Sequence, residues 1–80
     1  MISLLDAPRN KQLKIVEFEG GQSVHRRLLA LGFHKNDLIE LDSKSIFGGP
    51  LLIKDFTTDV SAALGRGIAK KIMVEIVDET

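Results

Sequence analysis

Short hydrophobic runs separated by turn-forming residues are the main pattern along this chain. Each run is rich in Val, Ile, Leu or Phe and is bounded by turn residues, which is typical of β-strands. Four such runs occupy residues 13–18, 37–41, 51–56 and 72–77. In the first run Leu13 and Ile15 share one face, whereas Val16 and Phe18 fall on the other. The pattern therefore predicts four strands, with a β-bulge near Ile15.

One segment, GGQSVHRRLLALG, has the period of a helix instead. Val24, Leu28 and Leu31 recur at i, i+4 and i+7, so one side of this helix is expected to face the core. Ser23 is predicted to be its N-cap and Gly32 to end it.

The second half of the chain predicts a hairpin and a less regular closing segment. Gly48-Gly49 is expected to reverse the chain, and Pro50 then precedes a strand at a position that needs no ladder N–H. A fifth short strand is predicted at Val60–Leu64, followed by a single helical turn at residues 66–71. Five short strands and one main helix in 80 residues predict one mainly β (small α+β) domain over residues 1–80, a small closed or half-closed β-barrel.

Composition and charge restrict the classes of function. The chain has no Cys, which excludes disulfides and thiolate metal sites and favours a cytoplasmic location. Eleven basic side chains balance eleven acidic ones, so no overall attraction to nucleic acid or anionic lipid is expected. We expect no signal peptide and no membrane-spanning segment, because charges or glycines interrupt every hydrophobic run.

Candidate catalytic chemistry is weak. Gly65-Arg66-Gly67 lacks the third glycine of a dinucleotide fingerprint, and no P-loop motif occurs. Most of the aspartates fall at predicted strand ends and turns and are expected to be solvated there: Asp37, Asp42, Asp55, Asp59 and Asp78. These observations predict a protein that is not an enzyme.

The two histidines are the candidate metal ligands. His25 is expected at the border of the apolar side of the helix, against the barrel, and His34 in the exposed turn after it. A credible zinc or iron site requires more ligands than two. No cofactor is therefore predicted beyond weak binding of a divalent metal, Fe²⁺ or Zn²⁺.

Binding of a single-stranded nucleic acid is the main alternative for a small β-barrel. Such surfaces combine basic residues with stacking aromatics. This chain has no Trp or Tyr, and most of its four Phe residues are expected in the core. Arg26-Arg27, Arg66 and Lys70-Lys71 supply only a modest basic patch. We therefore expect no nucleic-acid partner, although a metal-sensing or nucleic-acid-binding barrel stays the second hypothesis.

The order of these motifs resembles that of the ferrous iron transport protein A (FeoA) family. The run RRLLALGFHKND resembles the helix and turn of that family, FGGPLLIKD its hairpin, and VSAALGRGIAKKIMVEI its closing segment. Lys35-Asn36 stands where the family usually has Pro-Gly, and Asn tolerates the left-handed conformation that such a turn needs. The positions that match the family pattern are Leu28, Leu31, Gly32, Gly48, Gly49, Pro50, Ala63, Leu64, Gly65, Arg66, Ala69 and Ile72.

The resemblance implies an SH3-like five-stranded barrel that assists bacterial ferrous iron uptake. It implies a cytoplasmic protein that contacts the membrane transporter FeoB and is peripheral to the membrane only through that partner. Whether the chain also forms a homo-oligomer stays open. Two groups of residues are predicted to contact the partner. The helix-turn surface consists of Arg26, Ala30, His34 and Lys35, and the hairpin tip consists of Phe47, Gly48 and Gly49. Phe47 is either a lid on the core or an exposed anchor.

Overall fold

The computed structural model describes residues 1–45 and 47–77. Within them the six strands are β1 (Ile2–Ser3), β2 (Gln12–Phe18), β3 (Leu38–Lys44), β4 (Leu51–Asp55), β5 (Val60–Leu64) and β6 (Ile72–Ile76). A 3₁₀ turn, Leu4–Asp6, follows β1; helix α1 (Gly21–Ala30) follows β2, and helix α2 (Arg66–Ala69) follows β5. The predicted mainly β fold with one main helix and a short second helical turn is confirmed.

The strands form one antiparallel sheet in the order β1-β6-β2-β3-β4-β5. The sequence analysis missed β1, because a strand of two residues carries no alternation to detect. Among the described residues no ladder joins β1 to β5, so the SH3-like sheet curls without closing into a hydrogen-bonded barrel.

Two irregularities in register bend the sheet around its core. One lies between Ile15 and Glu17 in β2, as the switch of hydrophobic phase predicted. The other lies between Leu41 and Ser43 in β3. The strand predicted at residues 37–41 was too short because the continuation of β3 to Lys44 is polar, although Lys44 still pairs with Leu51 of β4.

Helix α1 begins differently from the prediction. Gly20, with φ of 93°, precedes the first helical residue, and the N-cap position makes no side-chain hydrogen bond. Ser23 is therefore wrong as the N-cap; it lies exposed inside the first turn. The left-handed conformation at Gly20 lets the chain turn directly from β2 into the helix, three residues earlier. No helix in the described part of the chain is long and apolar enough to cross a membrane.

The end of α1 is a Schellman motif centred on Gly32. The Phe33 N–H donates to the Leu28 carbonyl (2.9 Å) and the Gly32 N–H to the Leu29 carbonyl (3.0 Å). Gly32 has φ of 94°, and the predicted end of the helix is confirmed. Leu31 is exposed, contrary to the helical-wheel prediction, because the reversal at Gly32 brings Phe33 into the core instead.

The core lies between the curled sheet, α1 and the segment before β2. Of the four Phe residues only Phe33 is fully buried; Phe18 is half-buried, and Phe47 and Phe56 are exposed. The expectation that most Phe residues are needed for packing is therefore wrong. The other large and fully buried apolar side chains are aliphatic: Leu4, Leu13, Ile15, Leu28, Ile39, Leu41, Leu51, Ile53, Ile72 and Val74.

Substitution of Gly32 by alanine is expected to lower the free energy of unfolding by about 1–3 kcal/mol. A Cβ at this position would lie in the left-handed region and 3.3 Å from Val60 Cγ2. Chemical denaturation measures the loss. Gly67→Ala is the matched control, because its Cβ would meet nothing within 4 Å and its helix gains propensity. Equal stability of the two variants would contradict the role of Gly32.

Candidate functional site

The hairpin tip between β3 and β4 presents an aromatic side chain to solvent. Phe47 is 92% exposed, so it is not a lid on the core. Gly48 next to it has φ of 79°, a conformation that favours glycine. A Cβ on Gly49 would lie 2.8 Å from Ser45 Oγ, so the turn is also too tight for a larger residue there.

Arg66, the first residue of α2, holds the base of this tip. Its Nη2 donates to the Ser45 carbonyl (2.6 Å) and its Nε to the Gly49 carbonyl (3.3 Å). A planar guanidinium that bonds both sides of one turn restricts that turn more than a single bond would. Sequence reasoning placed Arg66 in a family motif and a basic patch and missed this contact, since the partners are distant in sequence.

The helix-turn surface is exposed as predicted but lies away from the hairpin tip. Arg26, Ala30, His34 and Lys35 are all exposed. The turn that carries His34 and Lys35 leads into the start of β3, whereas the hairpin tip follows the end of β3. A seven-residue strand spans about 20 Å, so the structure does not bring the two groups together at one place.

Two buried aspartates lie in turns near the C-terminal end of α1, one just before β3 and the other at the end of β4. Asp37 is 4% exposed and Asp55 is 0% exposed. The expectation of solvated turn residues is wrong for these two, because their side chains fold back against backbone N–H groups. It is correct for Asp42 and Asp59, which are exposed, and Asp78 lies outside the described residues.

Backbone N–H groups donate to one oxygen of each buried carboxyl. Asp37 Oδ2 accepts the His34 N–H (2.8 Å), and His34 Nδ1 lies 3.5 Å from the same oxygen. Asp55 Oδ1 accepts the N–H groups of Thr57 (2.9 Å) and Thr58 (3.2 Å). An Asp with Thr two and three residues after it, as at Asp55, Thr57 and Thr58, indicates this kind of turn in a sequence, but nothing local in the sequence indicates that the Asp is buried.

The pKa of the Asp55 carboxyl is raised from 3.8 to about 6. Burial removes water from the charged form and is the largest cause, and the adjoining Asp37 carboxyl is the next. The N–H groups of Thr58 and Thr57 act in the opposite direction. Strongly shifted carboxyls of this kind cluster at functional sites, although structural networks also produce them.

The histidines are in the surroundings that the sequence predicted. The His25 ring is half-buried, with its centroid 5.3 Å from that of Phe18, and His34 has a side chain 51% exposed in the turn. Within the described residues no three His, Cys, Asp or Glu side chains are grouped so that they could hold a metal ion.

Comparison with known proteins supplies the family. The sequence profile of the FeoA domain matches residues 2–76, nearly the whole chain. The chain belongs to the FeoA domain family. Membership links it to ferrous iron uptake. No curated protein sequence gave a significant match.

Solved structures with this fold include FeoA proteins and longer proteins. A FeoA-like protein from Clostridium acetobutylicum is 23% identical, with a TM-score of 0.83 over 99% of this chain and 90% of its own. An iron uptake regulatory protein (FeoA) is 22% identical, with a TM-score of 0.82 over 95% of this chain and 96% of its own. A manganese-dependent transcriptional repressor is 13% identical, with a TM-score of 0.83 over 94% of this chain but 36% of its own. At these identities the likeness concerns the fold.

Proposed function

We propose that this FeoA-family chain is a non-enzymatic, cytoplasmic accessory of ferrous iron uptake that binds the membrane transporter FeoB through its hairpin tip. The transporter supplies nucleotide hydrolysis and the membrane path, and this chain supplies a folded contact surface. Contact with the transporter would make it peripheral to the membrane.

The exposure of Phe47 is the observation that carries this proposal. Because Phe47 is 92% exposed, it can be buried against a partner without giving up contacts with the core. Its ring also offers a large apolar area for that burial. Aromatic residues dominate the binding energy of many protein interfaces. Phe47 also stands at a tip, where it can enter a concave surface without contact from the rest of the sheet.

The fixed shape of the turn supports the same assignment. Arg66 bonds the carbonyls on both sides of Phe47, at Ser45 and Gly49. A turn that is held in shape before binding loses less conformational entropy when the complex forms. Replacement of Arg66 by lysine would keep the charge and lose the two-sided contact, since an ammonium lacks the planar fork.

Substitution of Phe47 by alanine is expected to weaken binding to the soluble GTPase region of a FeoB-type transporter at least about tenfold, the lower range for an aromatic anchor. Isothermal titration calorimetry with the whole chain measures the change. Phe56→Ala is the matched control: Phe56 is 50% exposed but follows the opposite end of β4, so binding should be unchanged.

A charge reversal on the helix-turn surface tests the alternative docking site. Arg26→Glu reverses a charge on the exposed side of α1 without touching the hairpin tip. If Arg26→Glu weakens binding and Phe47→Ala does not, the partner docks on the helix-turn surface and the assignment to the tip is wrong. If the unsubstituted chain does not bind the GTPase region at all, the transporter contact itself is wrong.

A further inference from the structure

Two turns that are far apart in sequence are joined by hydrogen bonds near the C-terminal end of α1. We call the turn at residues 34–37 the first turn and the turn at residues 55–58 the second turn. The Leu38 N–H donates to Thr57 Oγ1 (2.9 Å), and the Phe56 N–H donates to the Leu38 carbonyl (2.8 Å). Thr58 Oγ1 also donates to the Gly32 carbonyl (3.2 Å) at the end of α1. The junction therefore couples the second turn to both the helix end and the first turn.

The two buried carboxyls lie at the centre of this junction. Asp55 Oδ2 is fully buried and has no hydrogen-bond donor among the described residues. The Asp37 carboxyl adjoins Asp55, and a side-chain hydrogen bond between the two is one cause of the raised pKa of Asp55. Two ionised carboxylates can only accept, so their contact needs one proton to become a hydrogen bond.

We propose that Asp37 and Asp55 share one proton, held between Asp55 Oδ2 and the Asp37 carboxyl, and that loss of this proton loosens the junction between the two turns. The hydrogen bonds indicate which oxygen carries the proton. Asp55 Oδ1 already accepts the Thr57 and Thr58 N–H groups, whereas the fully buried Asp55 Oδ2 accepts none from the described part of the chain, so the proton resides on Oδ2.

Few other charges face the pair. His34 Nδ1 lies 3.5 Å from Asp37 Oδ2. Lys54 precedes Asp55 in β4, so its side chain points to the other face and pairs with the exposed Asp59 at 2.6 Å. Lys35 lies exposed on the first turn, and Lys14, whose strand position pairs with Leu38, is also exposed. None of these cations reaches Asp55 Oδ2, so a proton is the group that satisfies it.

The junction also positions part of the surface described above. His34 and Lys35 stand on the first turn, and Asp37 fixes that turn through the His34 N–H. A change of protonation near pH 6 would therefore alter the helix-turn surface. This last consequence rests on the proposed function, whereas the shared proton is a property of the chain alone.

The shared proton is tested by following the side-chain carboxyl carbons of the full-length chain by NMR from pH 3 to pH 8. We expect the Asp55 signal to change with a midpoint near pH 6. In Asp37→Asn the midpoint should fall by about one unit or more, because the like charge is gone and an amide can donate to Asp55. Asp42→Asn, an exposed control, should leave it unchanged. An Asp55 midpoint near 4, or no response to Asp37→Asn, would overturn the proposal.

Amide hydrogen exchange tests the loosening. Asp55→Asn imitates the protonated carboxyl, because its amide oxygen can accept from Thr57 and Thr58 while its NH₂ donates to Asp37. At pH 5 the Leu38 N–H should exchange at similar rates in both proteins, and at pH 7 about tenfold faster in the unsubstituted chain, the factor for one pKa unit of coupling. If the ratio of the two Leu38 N–H exchange rates is the same at pH 5 and at pH 7, the proton does not control the junction. Neither measurement involves the transporter. A negative result would therefore overturn the shared proton without bearing on the proposed contact with FeoB.

Discussion

Substitution of Phe33 by alanine is expected to lower the free energy of unfolding by about 3–5 kcal/mol, the range for a large buried aromatic. Phe33 is fully buried and is the largest side chain of the core. It also completes the Schellman motif, in which its own N–H donates to the Leu28 carbonyl, and both side chains belong to the buried core. The substitution therefore leaves a cavity at the place where α1 meets the sheet. Urea denaturation followed by circular dichroism measures the change.

Two further variants make this result interpretable. Phe56→Ala removes the same ring from a half-exposed position and should cost less than about 1 kcal/mol. Phe33→Leu keeps most of the volume and should remain folded even if the alanine variant does not, with a loss of about 1–1.5 kcal/mol. Similar losses for Phe33→Ala and Phe56→Ala would contradict the assignment of Phe33 as the central core residue.

Local patterns in the sequence predicted most of the fold. The change of hydrophobic phase after Ile15 predicted the bulge in β2, and Gly32 predicted the end of α1. Asn36, which replaces a family glycine, has φ of 71°, as its tolerance of the left-handed region allows. Each of these features depends on backbone geometry within a few residues, so the residues themselves carry the information.

Features that depend on distant contacts could not be predicted in this way. Burial of Asp37 and Asp55 arises because two turns at the two ends of the β3–β4 hairpin meet, and each Asp alone is typical of an exposed turn. The contact of Arg66 with Ser45 and Gly49 also joins segments far apart in sequence. The candidate surface was affected in the same way, because residues grouped by motif lie at opposite ends of β3.

Substitution of Asp55 by asparagine is expected to stabilise the protein at pH 7 by up to about 3 kcal/mol, from a shift of about two pKa units at about 1.4 kcal/mol each. The folded-state pKa of Asp55 is raised, so between pH 3.8 and about 6 the folded chain holds a proton that the unfolded chain has released. The contribution of Asp55 to the free energy of unfolding is fully present below pH 3.8 and is lost as the pH rises through about 6. Asparagine is neutral at every pH, so the variant does not lose this contribution to the free energy of unfolding as the pH rises.

The difference in stability between Asp55→Asn and the unsubstituted chain is therefore the quantity to measure, by urea denaturation at pH 4 and pH 7. It should be small at pH 4 and large at pH 7, while other carboxyls affect both proteins equally and cancel. Asp42→Asn changes an exposed carboxyl in β3 and should show little difference at either pH. A constant Asp55→Asn difference between the two pH values would mean that the pKa of Asp55 is the same in the folded and the unfolded chain. Gain of stability only at pH 7 would mean that the native chain retains a destabilising buried charge there, which is expected where a carboxyl serves function rather than stability.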